Sequence, residues 1–201
     1  MIDASLQRLL ARPLNAVGRT LAESGVSANS VTLAGLGLAV VLVFVLATRQ
    51  YAVGLSLLAL NRLLDGVDGS IARSTLRTDF GGYLDSVADY VFYAGVPFGL
   101  ALSNPQENAL PAAALLASFL LTGASFLAFA ALAAKRGLQP EASRPKAFFY
   151  SVGLMEGAET IAFFVAMLLW PAHFALLAWV FAGLCVLTAV QRSLIAAKAF
   201  R

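Results

Sequence analysis

From residue 31 onward the chain is a succession of apolar runs about twenty residues long, parted by short polar turns. That is the length of helix needed to cross the hydrocarbon core of a bilayer. Six such runs are present, at 31–47, 52–72, 81–102, 110–134, 147–170 and 174–197, with no internal repeat among them. Composition agrees with a lipid solvent: 60% of the 201 residues are hydrophobic, only 12% are charged and the mean hydropathy is +0.80. A soluble domain of this size carries about a quarter charged residues and cannot bury so much apolar side chain in one core. A soluble enzyme, a secreted disulfide scaffold and a disordered chain are excluded. The single cysteine, Cys185, lies in an apolar run and reads as a buried spacer.

Residues 1–27 are different. Leu6, Leu9, Leu10, Leu14, Val17 and Leu21 recur at helical spacing opposite Arg8, Arg12 and Arg19, the pattern of an amphipathic helix lying in the membrane surface. Pro13 is expected to break or restart it. The segment lacks the early apolar block of a signal peptide. The expected fold is therefore an all-α integral membrane protein: an interfacial amphipathic helix over 1–27, then a six-span domain over 28–201. Lys and Arg sort to one side. Arg8, Arg12, Arg19, Arg73, Arg77, Lys135, Arg136, Arg144, Lys146, Arg192, Lys198 and Arg201 fall together, Arg49 falls opposite, and Arg62 lies within the second run. The positive-inside rule then places both termini in the cytoplasm. The net charge of +3 follows from this topology and does not describe a nucleic-acid surface.

Six of the eleven acidic residues lie inside the apolar runs: Asp65, Asp68, Asp85, Asp89, Glu156 and Glu159. A charge in the bilayer costs at least about 2.5 kcal/mol, so intramembrane carboxylates mark function by default. Asp65 and Asp68 are three apart and Asp85 and Asp89 four apart, so each pair shares a helix face. The two runs are joined by a short turn and must be antiparallel. Mirrored about Arg77, Asp65 faces Asp89 and Asp68 faces the neighbourhood of Asp85, all just beneath the cytoplasmic surface. Four close carboxylates repel unless cations hold them. Oxygen-only ligands suit hard cations such as Mg²⁺, Mn²⁺ or Ca²⁺, and four of them fit a two-metal site for phosphoryl displacement. Gly69 and Ala72 leave a bare strip beside this cluster, and Arg73 sits at its mouth as a fork for phosphate oxygens.

The segment Asp65-Gly-Val-Asp68-Gly69-Ser-Ile-Ala72-Arg73, seven further residues, then Gly81-Gly-Tyr-Leu-Asp85-Ser-Val-Ala-Asp89 resembles the D-x-x-D-G-x-x-A-R…G-x-x-x-D-x-x-x-D signature of the CDP-alcohol phosphatidyltransferase family. All eight fixed positions match. The resemblance implies that Asp65, Asp68, Asp85 and Asp89 bind two divalent cations, Mg²⁺ or Mn²⁺, and that Asp89 also acts as general base. It implies that Gly69, Ala72 and Arg73 contact the nucleotide and its phosphates, with Thr78 aligned to a hydroxyl that helps hold it. Asn29-Ser-Val-Thr32 is similar to the family's P-N-x-x-T motif, with Ala28 in place of the proline, which adds Asn29 and Thr32 to the donor site. The implied reaction moves a phosphatidyl group from CDP-diacylglycerol to an alcohol acceptor, releasing CMP in phospholipid biosynthesis. A homodimer is implied by the resemblance alone.

Other residues carry two readings each. Glu156 and Glu159, three apart on the fifth run, either line the acceptor cavity or pair with Arg62 or Lys146. Arg62, three before Asp65, reads as its local ion-pair partner. Lys135, Arg136, Arg144 and Lys146 either express the positive-inside bias or offer counter-charge to a phosphorylated acceptor or anionic lipid. Carboxylates on the fifth run disfavour a phosphorylated acceptor. His173, Trp170 and Trp179 read as interfacial or packing residues. A divalent-cation transporter would explain the four aspartates, but not Gly69, Ala72 and Arg73 at fixed offsets. Transfer from a CDP-linked small alcohol to diacylglycerol stays within the family.

Overall fold

The computed structural model describes residues 2–137 and 154–200. Among these, every regular element is helical: α1 (Ile2–Glu23), α2 (Ala28–Ala47), α3 (Tyr51–Ser74), α4 (Asp79–Ser103), α5 (Pro105–Lys135), α6 (Gly157–Leu169) and α7 (Phe174–Ala199), with one 3₁₀ turn at Pro171–His173.

Local chemistry sets the ends that flank the carboxylates. Gly25 takes φ +81° after α1. Its N–H donates to the Ala22 carbonyl and that of Val26 to the Leu21 carbonyl, each at 3.0 Å, the paired closure that a left-handed glycine permits. Ser27 then caps α2, its Oγ accepting from the Ser30 N–H at 3.1 Å. Thr78 caps α4 in the same way, accepting from the Gly81 N–H at 3.0 Å.

Pro13 does not break α1, which runs continuously from Ile2 to Glu23. The proline removes one N–H donor. Tertiary packing carries the helix past the gap, because Leu14, Leu21 and Ala22 lie against the buried Val31, Val67 and Ile71. α1 thus docks across α3 rather than standing apart from it.

Among the described residues, three segments are long and apolar enough to cross a membrane: α2, α5 and the stretch Pro171–Ala199 that contains α7. α3 and α4 have the length, 24 and 25 residues, or roughly 36 Å each at 1.5 Å per residue. The charged side chains of the site take them out of that class. The fifth run differs most from expectation. α6 has 13 residues and begins at Gly157, residues 154–156 are not helical, and the expected start at residue 147 lies outside the described residues.

α2 packs along both α3 and α4, and α5 along α7. The α2–α4 contact is close because of a glycine: a methyl group at Gly99 would lie 2.9 Å from Leu46 Cβ and 3.0 Å from the Val43 carbonyl oxygen. Small residues are how helices approach where lipid supplies no hydrophobic drive. The core is aromatic where α4 meets α6 and α5 meets α7, with Phe92 against Phe164 at 6.0 Å and Phe119 against Phe181 at 5.3 Å between ring centroids, both edge-on. Cys185 is buried in the same core. Phe44 and Leu120 are among the large apolar side chains that point outward. Arg192 of α7 is tied to α5. Its guanidinium donates to the Thr122 carbonyl at 2.8 Å and to Ser125 Oγ at 3.0 Å.

Candidate active site

Helical spacing places Asp65 and Asp68 on one face of α3, and Asp85 on the facing side of α4. One carboxylate oxygen from each of the three lies within 4.8 Å of the others. An ion bound at about 2.0–2.6 Å per ligand holds oxygens at such separations, and an all-carboxylate set without histidine or cysteine suits a hard divalent cation. Asp68 is buried. Its Oδ2 accepts from Thr32 Oγ1 on α2 at 2.7 Å. The same hydroxyl lies 3.1 Å from the Ala28 carbonyl, but its one proton serves one acceptor at a time, and the carboxylate is the nearer and stronger.

Asp89 stands outside this triplet. Its Oδ1 accepts from the Arg62 guanidinium at 3.0 Å, and the same Arg62 nitrogen is 3.7 Å from Asp65 Oδ2. Asp65 and Asp89 do face each other, with a cation between them, and the shorter of the two contacts is to Asp89 rather than to the local Asp65. Arg62 is itself fixed. Its other nitrogens donate to Asn61 Oδ1 at 3.1 and 2.6 Å, and its guanidinium carbon lies 3.9 Å from the centre of the Phe92 ring. Asn61 is buried and donates in turn to the Gly35 carbonyl of α2 at 2.8 Å. Sequence reading missed the reach of Arg62 to Asp89 and the whole role of Asn61. The signal was present, since an amide and a guanidinium adjoin in an apolar run one turn before Asp65.

The triplet opens on a cleft of about 290 Å³ between α2, α3 and α4, at the lower end of the usual small-molecule range of about 300–1,000 Å³. Asn29, Thr32, Gly69, Ala72, Arg73 and Thr78 all line it, and Asp68 and Asp85 form one wall. Leu76, Arg77 and Gly82 line it as well, residues that the motif did not single out. A narrower pocket continues past Asp68 and Asp85 to Arg62, Asp65 and Asp89. The glycines keep the cleft open. At Gly81 a methyl would come 3.0 Å from Thr78 Oγ1 and 3.1 Å from Asn29 Oδ1, and at Gly69 it would come 3.2 Å from the Arg73 guanidinium. Arg73 therefore lies back across Gly69.

The residues expected around the acceptor are placed less centrally. Glu156 has extended backbone at the N-cap of α6 and Glu159 lies in the first turn, so the two do not share a helix face. Glu159 Oε2 is buried without a hydrogen-bond partner among the described residues. Lys135 ends α5. None of these three lines either cleft, and Lys146 lies outside the described residues. His173 sits in the 3₁₀ turn at the far end of α6 from its capping Glu156.

The sequence model of the CDP-alcohol phosphatidyltransferase family matches residues 26–191. The chain belongs to that family. Its members are enzymes that transfer substituted phosphate groups, and the clefts described above are built from the matched segment. α1 precedes it. Among curated relatives, the inner membrane protein YnjF of Escherichia coli (strain K12) is 44% identical over 192 residues, 96% of this chain and 93% of that one. The archaetidylinositol phosphate synthase of Pyrococcus horikoshii is 33% identical over 94 residues, 46% of this chain and 50% of its own. The fold is that of the Mycobacterium tuberculosis phosphatidylinositol phosphate synthase PgsA1. The crystal structure with CDP-DAG bound superposes with a TM-score of 0.71 at 20% identity, covering 92% of this chain and 94% of that one. The structure with manganese and citrate gives 0.70 at 20% identity, covering 90% and 88%.

Proposed function

We propose that this protein is a six-span integral membrane enzyme, with α1 in the cytoplasmic membrane surface and both termini cytoplasmic, that transfers a phosphatidyl group from CDP-diacylglycerol to an alcohol acceptor. The observation that carries this reading is the joining of two features: a three-carboxylate cluster, and a cleft lined by every residue assigned to the nucleotide. Support comes also from the PgsA1 structures, which hold CDP-DAG in one case and manganese in another.

Asp65, Asp68, Asp85 and Asp89 would hold two divalent cations, Mg²⁺ or Mn²⁺. When bound, these supply positive charge against a diphosphate and its leaving group. Thr32 orients Asp68 by its hydrogen bond, and Arg62 holds Asp89 from the opposite side. Arg73 and the cap Thr78, with Asn29, Gly69 and Ala72, form the walls that take CDP. Asp89 accepts the proton of the acceptor hydroxyl. The acceptor oxygen bonds to the lipid-side phosphorus, the phosphoanhydride bond breaks and CMP departs with its electron pair. Most of the acceleration comes from positioning and electrostatics. A cleft near one membrane surface suits this division, because CMP and a polar acceptor exchange with water while acyl chains stay in lipid.

The deciding experiment incubates purified protein with labelled CDP-diacylglycerol, Mn²⁺ or Mg²⁺ and a panel of serine, choline, inositol phosphate and glycerol phosphate. Metal-dependent CMP release with a new lipid from one acceptor establishes the reading. Absence of CMP release with every acceptor, alongside Mn²⁺ flux in vesicles, would overturn it in favour of a cation transporter.

A further inference from the structure

Arg73 lines the donor cleft from an exposed position at the last turn of α3. A free arginine side chain carries about 2 kcal/mol of rotamer entropy, and no carboxylate among the described residues pairs with this one. Its hydrogen-bond partner lies on another helix. Asn15 Oδ1 of α1 accepts from the Arg73 guanidinium at 3.3 Å and, on the same oxygen, from Ser70 Oγ at 3.1 Å. α1 reaches this point because Gly18 lets its backbone come against Ser70, where a methyl group would have no room. Asn15 lies outside the segment matched by the family.

We propose that Asn15 is a positioning residue for the donor site: its side-chain oxygen holds Arg73 across Gly69 with the guanidinium facing the cleft. α1 thereby completes a phosphate grip that the matched segment leaves loose. An amide suits the task. Its oxygen orients a guanidinium without cancelling the charge that must meet phosphate, as a carboxylate at this position would. This inference rests on the reading of the cleft as the nucleotide site.

The test measures binding of CDP, in the presence of Mn²⁺, to the full chain in detergent by calorimetry, with thermal melts alongside. Wild-type protein should bind, and Asn15→Ala should bind about tenfold more weakly, the order expected for loss of one charge-assisted hydrogen bond. In an Arg73→Ala background the same substitution should change nothing further. Ser70→Ala removes the bond from Ser70 to Asn15 but leaves Asn15 on Arg73, so it should keep wild-type affinity. The proposal falls if Asn15→Ala binds CDP like wild type. It falls equally if Ser70→Ala weakens binding as much, or if the loss persists undiminished without Arg73, because the effect would then belong to helix docking. Failure of the wild-type protein to bind CDP at all would instead overturn the reading of the cleft.

Discussion

Replacing Arg62 by alanine tests whether the carboxylate cluster carries a built-in cation. Arg62 stands 3.0 Å from an Asp89 oxygen and 3.7 Å from an Asp65 oxygen, so those two oxygens are at most about 6.7 Å apart. Without the guanidinium they repel by at least about 2.5 kcal/mol at an effective dielectric of about 20. Their side chains are 38% and 34% exposed, and screening by water brings the figure nearer 1–1.5 kcal/mol. Asn61 loses both of its donors as well, and Phe92 its cation. Metal-free Arg62→Ala should therefore melt several degrees below wild type. The same change removes a positive charge from beside the proposed metal ligands, so Mn²⁺ affinity should rise about tenfold, the equivalent of 1.4 kcal/mol. Saturating Mn²⁺ should then raise the melting temperature of the variant more than that of wild type. Calorimetric Mn²⁺ titration and thermal melts in detergent, with Arg62→Lys as the charge-retaining control, read both effects. An alanine variant with wild-type Mn²⁺ affinity would refute the reasoning, since it would mean that Arg62 does not share the field of the site.

Thr32→Val keeps the shape but removes the 2.7 Å bond to Asp68, and should lower kcat/KM for CMP release about tenfold or more, in line with a buried hydrogen bond to a charged group; an unchanged value would show that Asp68 needs no orientation. Gly99→Leu drives a side chain into Leu46 and the Val43 carbonyl and should lower stability by about 2 kcal/mol or more, read as loss of folded protein on gel filtration, whereas Gly37→Leu, at an open position, should be tolerated. Asp89→Asn should abolish CMP release, read as labelled CMP from CDP-diacylglycerol; release at the wild-type rate would rule out Asp89 as the base. Treatment with a chelator should stop CMP release, and Mn²⁺ should restore it, while zinc-selective chelation should do neither, given an all-oxygen donor set.

What the sequence made legible was whatever depends on spacing along one helix. Two aspartates three apart and two four apart define faces without any knowledge of the fold, and a short turn between their helices brings the faces together. Gly69, Ala72 and Arg73 were legible for the same reason, as were the apolar runs of α2, α5 and α7. The misreadings fall where packing between distant segments decides. Pro13 carries a strong local signal for a break, but Leu14 and Leu21 packed on α3 outweigh it. Glu156 sits at helical spacing from Glu159 but precedes the helix, since α6 starts at Gly157 and no periodicity marks a start of that kind. Asn15 gave no signal at all: a polar residue on a surface helix is ordinary until that helix is known to lie across α3. Arg62 belongs to both classes. Its i, i+3 relation to Asp65 was visible, while its stronger bond to Asp89 required the approach of α3 and α4 around α2. The division follows from the site's construction. The proposed metal ligands come from two adjacent helices and are written in local code, whereas Thr32 and Arg62, which hold those carboxylates, and Asn15, which contacts Arg73, act between helices. Substitutions in the first set should therefore remove activity outright, and those in the second should tune affinity and metal preference while leaving the fold in place.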